Sequence, residues 1–391
     1  MSSASDASPP AGPIRVTVLL PRHLDVAAWS QRHARGEVPD ATPYGYHHAL
    51  AQGCSLRFSR ATPPWPGRLG GLMERVLRKL IGFELRHVWA NRALLRHDSA
   101  DVVWTHTEYE HLGVGLLRRL GLLRSAPVIA QSIWLVDAWD GWSRLRRRLV
   151  HALMRDAEVA SFHSPLNTQR ARALGLGRRQ AIVEFGISLD SYPVATERPQ
   201  ARLDGSRPLR VLALGNDRHR DWATLAQALG GREGVELRIG SSHFPARLAA
   251  SNISARPLSQ QEVVDGYAWA DLVVVPLHEN LHASGLTAVL EATARGVPVV
   301  ATRTGGLDHY FGDNAIAFCR AHDAPDLQRA VDELAADAAR RERQVAAAQQ
   351  RLLQRGYSSE GFALRHVELS RQLLAPAPAG LPVPLTPSRT S

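Results

Sequence analysis

The sequence predicts an α/β protein of two Rossmann-like, doubly wound domains that face each other across a cleft. Three observations lead there. The chain has 391 residues, a length for two domains. Short apolar strands alternate with helical patterns, as in a parallel sheet wrapped by helices. The alternation also runs twice, separated by a Pro-, Ala- and Arg-rich stretch at 190–209.

In the first run, Arg15–Leu20 is the opening strand, a short apolar segment after a Pro/Ala/Gly tail. Asp101–Trp104 and Val128–Ala130 read as buried strands, followed by Val159–Phe162 and Ala181–Glu184. Leu112–Leu120 and Trp142–Arg155 carry helical spacing between them. In the second run the strands are Arg210–Leu214, Glu236–Ile239, Leu272–Val275 and Val297–Ala301. Helices are expected at Trp222–Leu229, Ser259–Trp269 and Thr287–Arg295, then one long helix from Asp326 to about Arg355. The domains are therefore set at 14–195 and 196–358, with a terminal helix at 359–375 that packs back on the first domain. The tails 1–13 and 376–391 are expected to be disordered, the second because it is Pro-rich.

Apolar residues make up 45% and charged residues 21%, an ordinary globular balance. Residues 1–13 lack the basic and apolar regions of a leader. No apolar run approaches the ~18 residues of a spanning helix. Cys54 and Cys319 are far apart, which argues against a disulfide framework or a metal site and suits a reducing cytoplasm. The net charge of +10 is one-sided: residues 14–195 hold 25 basic and 15 acidic residues, against 22 and 21 in 196–391. Residues 68–89 place Leu69, Leu72, Met73, Val76, Leu77 and Leu80 at helical spacing among Arg75, Arg78, Lys79 and Arg86. Such a basic amphipathic helix can be a core helix or can lie on an anionic membrane. The expected location is cytoplasmic, with the inner face of the membrane as a peripheral site.

Two strand-to-helix turns can converge on one ligand, because ligands of open α/β sheets bind at the carboxyl ends of the strands. After Leu272–Val275, Ser284-Gly285-Leu286-Thr287 opens a helix that carries Glu291. Its N-terminal N–H groups suit a diphosphate, and the glutamate suits ribose hydroxyls. After Arg210–Leu214 comes Gly215-Asn216-Asp217-Arg218-His219-Arg220, whose arginines suit phosphate oxygens.

Glu291-Ala292-Thr293-Ala294-Arg295-Gly296-Val297-Pro298-Val299-Val300-Ala301, followed by Gly305-Gly306, resembles the signature of the retaining GT-B enzymes of glycosyltransferase family four. Asp101–His106 resembles that family's fourth strand and histidine-bearing loop, and Gly186–Asp190 the segment before its linker. The resemblance implies a nucleotide-sugar donor bound by Gly215, Asn216, Arg218, Arg220, Ser284, Gly285, Leu286, Thr287 and Glu291. It implies a saccharide or lipid-linked acceptor held by the first domain, and hexosyl transfer with retention in surface polysaccharide or glycoconjugate synthesis. Ala283 stands where the family has its first signature glutamate, with Glu279 and His282 nearby but out of register; Ser132 or Ile133 stands in place of a second histidine.

The acceptor loops are expected at Tyr44–His48, Thr105–His111 and Trp134–Trp142, with His106, Asp137 and Asp140 as catalytic candidates. No Asp-x-Asp occurs, so no metal and no cofactor besides the donor is expected. The alternatives are a nucleotide-sugar epimerase of the same architecture and a basic nucleic-acid-binding protein. The second lacks any nucleic-acid motif, so no nucleic-acid partner is expected. The only lysine, Lys79, lies in the first domain, which excludes a phosphorylase with a lysine-bound pyridoxal phosphate in the second.

Overall fold

The computed structural model describes residues 12–73, 82–196, 203 and 205–375. Apart from Gly12 and Pro13, the tails expected to be disordered lie outside the described residues, as does part of the 190–209 stretch. The chain forms two parallel six-stranded sheets with helices on both faces.

The first sheet has the order β2-β1-β3-β4-β5-β6. Its strands are β1 (Ile14–Leu19), β2 (Cys54–Phe58), β3 (Val102–Thr105), β4 (Val128–Gln131), β5 (Val159–Phe162) and β6 (Arg179–Ile182). The second has the order β12-β11-β10-β7-β8-β9, from β7 (Leu209–Leu214), β8 (Val235–Gly240), β9 (Ile253–Arg256), β10 (Leu272–Val275), β11 (Val299–Thr302) and β12 (Ala317–Cys319). Counted from β7, that is the 3-2-1-4-5-6 order of nucleotide-binding sheets. The strand order reverses between β1 and β3 in one sheet and between β7 and β10 in the other, and these crevices are where such sheets bind ligands.

The inner strands are mostly apolar because helices cover both faces: every residue of β3, β4, β5, β10 and β11 is buried. Two hydrophobic clusters sandwich the second sheet, one built on Leu212, Val273 and Val289, the other on Val211, Leu225 and Val331.

Three expectations need correction. The helix expected from Asp326 to Arg355 is two, Ala324–Ala336 and Ala338–Gln354. Asp337 breaks it with extended backbone (φ −111°, ψ 93°) and caps the second helix by accepting from Arg340 N. Residues 68–89 are not one helix: a helical segment runs to Met73, Gly82 has φ +80°, and Leu85–Ala90 forms a separate helix. Positions 74–81, with six of the ten apolar and basic residues named for that motif (Arg75, Val76, Leu77, Arg78, Lys79 and Leu80), lie outside the described residues. The strands β2, β9 and β12 were not expected.

The chain crosses between the domains twice, side by side. Ile187 N donates to Tyr357 O (3.2 Å) and Ser359 N donates to Ile187 O (2.7 Å). The helix Ser359–Leu374 then lies on the first domain, where Phe362, Ala363 and Val367 join Val16, Tyr46 and Trp104 in one cluster.

Candidate active site in the cleft

A cavity of about 650 Å³ lies between the carboxyl edges of the two sheets and takes its walls from both domains. On the second domain's side it is lined by Gly215, Asn216, Asp217, Arg220 and the run His282–Thr287. Two local devices build this wall. Gly285 has φ +83° and opens the helix Leu286–Ala294, a conformation that side chains rarely adopt. Gly215 (φ +142°) lies against the Arg220 guanidinium, where any Cβ would collide with it. Arg220 is thus threaded between the two turns. Its Nε donates to Leu214 O (2.9 Å) and its Nη1 to Ser284 Oγ (3.2 Å).

Arg220 is only 8% exposed. Among the described residues no carboxylate forms an ion pair with it; Asp217 acts on it only through space, and burial pulls its pKa down to about 10. A buried guanidinium normally has an anionic partner. Here one side of it faces a cavity next to the positive end of a helix, an arrangement that accepts phosphate. Arg218, the other arginine left open by the sequence, is exposed and lines a neighbouring cavity with Trp134, Trp142 and Arg146.

Glu291 lies one side chain deeper. It lines a smaller adjoining cavity with Tyr192, Leu258, Gln260 and Thr287, and that cavity shares Gly215, Asn216 and Arg220 with the main one. Tyr267 donates to its Oε2 (2.8 Å), and burial raises its carboxyl to about 7 against the pull of Tyr267 and Tyr192. A carboxyl in that cavity can exchange hydrogen bonds with hydroxyl groups of a ligand.

The first domain's wall comes from Arg22 and His23 after β1, Tyr44, His106 and Thr107 after β3, and Tyr109, Glu110 and Trp134. The His106 ring stacks on Tyr44 with centroids 3.4 Å apart, and its Nδ1 is 3.0 Å from the Tyr46 hydroxyl. Burial, with His163 and His366 nearby, pushes its pKa far down, so the ring is neutral. It can exchange a hydrogen bond with a sugar hydroxyl but carries no charge.

Asp137 and Asp140 do not stand as free bases in this cleft. Asp140 is an exposed carboxylate, paired with both oxygens to Arg170 Nη2 (2.9 and 2.8 Å), and it does not line the cavity. Asp137 accepts from Leu281 N at Oδ1 (2.7 Å) and meets His282 Nδ1 at Oδ2 (3.0 Å). It holds the loop after β10 rather than facing a substrate.

Sequence reasoning missed His282 and Asp217. His282 bridges Asp137 in one domain and Asp217 in the other (Nε2 to Oδ2, 3.3 Å). Burial opposes its charge, but the two carboxylates outweigh burial and raise its pKa. Ala283, at the position of the absent glutamate, lines the cavity with φ +55°, while Glu279 is exposed.

Residues 255–351 match the family described as "Glycosyl transferases group 1". A D-inositol 3-phosphate glycosyltransferase of Corynebacterium jeikeium is 32% identical over 162 residues, 39% of this chain and 38% of that protein. One from Streptomyces avermitilis is 28% identical over 190 residues, 46% and 40% of the two chains. The matched stretches thus span about two fifths of these curated relatives. Among solved structures, sucrose-phosphate synthase of Thermosynechococcus elongatus aligns with TM-score 0.67 and 19% identity, covering 92% of this chain and 99% of that one. Anabaena HepE in complex with UDP-glucose aligns with TM-score 0.61 and 13% identity, covering 91% and 99%. The fold is therefore that of the GT-B glycosyltransferases, and the chain resembles that class in the domain that carries Glu291.

Proposed function

We propose that the chain is a glycosyltransferase that moves a hexosyl group from a nucleotide-diphosphate sugar to a saccharide or lipid-linked saccharide acceptor. The observation that carries this is Arg220: a buried guanidinium with no carboxylate partner among the described residues, fixed between two strand-to-helix turns and facing the cleft. The departing diphosphate would complete its pairing, and the helix end at Gly285 would add to it, with no metal needed between them. Glu291 would hold the ribose. The match to group 1 glycosyl transferases supports transfer, and the UDP-glucose of the HepE complex supports a nucleotide-sugar donor. Retention of configuration follows from the resemblance in Leu286–Gly306, and the acceptor belongs to the His106 and Tyr109 wall.

The setting proposed is surface polysaccharide or glycoconjugate synthesis at the cytoplasmic face of a membrane. Among the described residues no helix is long and apolar enough to cross one. Leu69, Leu72 and Met73 are 78%, 52% and 60% exposed and face solvent, whereas Phe83 and Val88, later in the 68–89 stretch, are buried in the first domain.

Calorimetry with UDP-, GDP- and dTDP-sugars tests the reading. One donor should bind, its nucleoside diphosphate should compete, and the monophosphate should bind more weakly. If none of the three sugars binds, the proposal fails. Co-sedimentation with liposomes should rise with anionic lipid and fall with salt; equal recovery on neutral liposomes would remove the membrane part alone.

A further inference from the structure

Away from the cleft cavity, three side chains from three loops converge at the carboxyl edge of the second sheet. Asp221 ends the loop after β7, His278 follows β10, and His322 follows β12. One donor atom from each lies within 4.8 Å of the others. His322 Nδ1 is 3.0 Å and His278 Nδ1 3.5 Å from the same atom, Asp221 Oδ2. The two rings are stacked, with centroids 5.0 Å apart and planes at 29°, so both turn the Nδ1 edge toward that carboxylate.

These separations are close to those of ligand atoms around one ion, and a shift of a few tenths of an ångström in the exposed His322 ring would bring both into range. In a tetrahedral site with bonds of about 2.0–2.2 Å, neighbouring donors stand roughly 3.3–3.6 Å apart. The carboxylate is already oriented from behind: Thr224 N donates to Oδ1 (3.0 Å) and the Thr224 hydroxyl to Oδ2 (2.7 Å). Outer partners of this kind aim metal-binding carboxylates. The Asp221 side chain is 2% exposed, while those of His278 and His322 are 42% and 57% exposed. The group therefore has a fixed inner ligand and an open outer side, where an ion can enter and water can complete its shell.

Two imidazole nitrogens and one carboxylate oxygen suit a first-row transition ion of the zinc type. Magnesium and calcium prefer shells of oxygen. We propose that Asp221, His278 and His322 bind one such ion, and that the ion clips together the loops after β7, β10 and β12. The clip acts on the cleft through the backbone. Asp221 is the residue after Arg220, and its N–H donates to Pro276 O (3.0 Å), while His278 N donates to His219 O (2.8 Å). Fixing Asp221 to His278 and His322 stiffens the loops that present Arg220 and Ser284.

The test is a titration of the full chain, first stripped with a chelator, using Co²⁺ as a spectroscopic probe. Visible d–d absorption and calorimetry are read together. The wild type should bind one equivalent with a low-symmetry d–d spectrum that Zn²⁺ displaces. His278→Ala and His322→Ala should each weaken that equivalent at least about tenfold, the loss already seen when only an outer partner is removed. The double variant should lack it. Both rings are largely exposed, and circular dichroism of the metal-free variants checks that they fold. If the wild type takes up no Co²⁺, or the folded double variant takes up as much with the same affinity, the histidines are only hydrogen-bond partners of Asp221 and the proposal is overturned. The titration uses neither donor nor acceptor, so its failure leaves the reading of the cleft untouched.

Discussion

Arg220 keeps its charge in a place where burial opposes it, because its Nε and Nη1 are satisfied by neutral groups and the remainder of the guanidinium faces the cavity. A charge-assisted hydrogen bond to phosphate contributes about 1.5–3 kcal/mol, roughly 10- to 150-fold in affinity. Arg220→Ala should therefore weaken nucleoside diphosphate binding by that factor, measured by calorimetry. The loss should exceed that from Arg218→Ala, at the rim, and from Arg232→Ala, which is tied to Asp332 (2.7 Å). Equal affinities in all three variants would make the loop an ordinary turn. Glu110, on the opposite wall, gives a pH signature. Burial raises its carboxyl to about 8 from the usual 4.5, against hydrogen bonds from Thr107 N and Thr107 Oγ1. A carboxyl with a raised folded pKa holds a proton that the unfolded chain has released, so its contribution to stability is full below about pH 4.5 and is lost as the pH rises to about 8. Glu110→Gln keeps the capping box and removes the titration. Across that window the wild type's Tm should fall relative to the variant's; parallel curves would contradict the assignment. The two turns that line the cleft were legible in sequence because each carries glycine directly between a strand and a helix, Gly215 after β7 and Gly285 before Leu286. The Asp137–His282–Asp217 bridge was not, since Asp217 and His282 follow different strands of the second sheet and Asp137 comes from the other domain.

At the scale of elements, the loop after β10 is shaped by the first domain as much as by its own. Leu281 N donates to Asp137 Oδ1 (2.7 Å), and Ser164 Oγ donates to Leu281 O (2.7 Å). Asp137 therefore acts as a positioning residue. Asp137→Ala should speed hydrogen exchange of the Leu281 amide while the amides of β10 keep their protection; unchanged exchange at Leu281 would show that the loop holds its shape alone. The inner strands were readable as apolar runs because both of their faces are covered. The edge strands β2 and β9 were not, because Cys54–Phe58 and Ile253–Arg256 are partly exposed and read as mixed segments. The break at Asp337 was hidden by helix-forming alanines and arginines on both sides, and only the capping geometry shows the aspartate ending one helix and starting the next.

At the scale of the molecule, the two domains are not consecutive halves of the chain, because the last helix returns to the first domain. Phe362 is fully buried there, beside Tyr46 and His163. Trp104 Nε1 donates to Ser370 Oγ (2.8 Å), joining β3 to the helix across most of the sequence. The Ser359 hydroxyl adds a bond to Asp40 Oδ1 (3.0 Å). The first sheet thus lacks a complete cover on that face until the chain has folded through the second domain. A large aromatic truncated in such a core costs about 3–5 kcal/mol. Phe362→Ala should destabilise the protein by that order, and the loss should fall on the domain that the residue touches, not on the one it follows in sequence. Native-state hydrogen exchange separates the two: amides of β1 and β3 should open at lower free energy, while those of β7 and β10 keep their protection. Donor binding should survive in the variant under conditions where the first domain still folds, because Arg220 and Glu291 belong to the other core. If protection falls equally in both sheets, the domains unfold as one unit and the double crossing at Ile187 and Ser359 couples them more tightly than their separate cores imply.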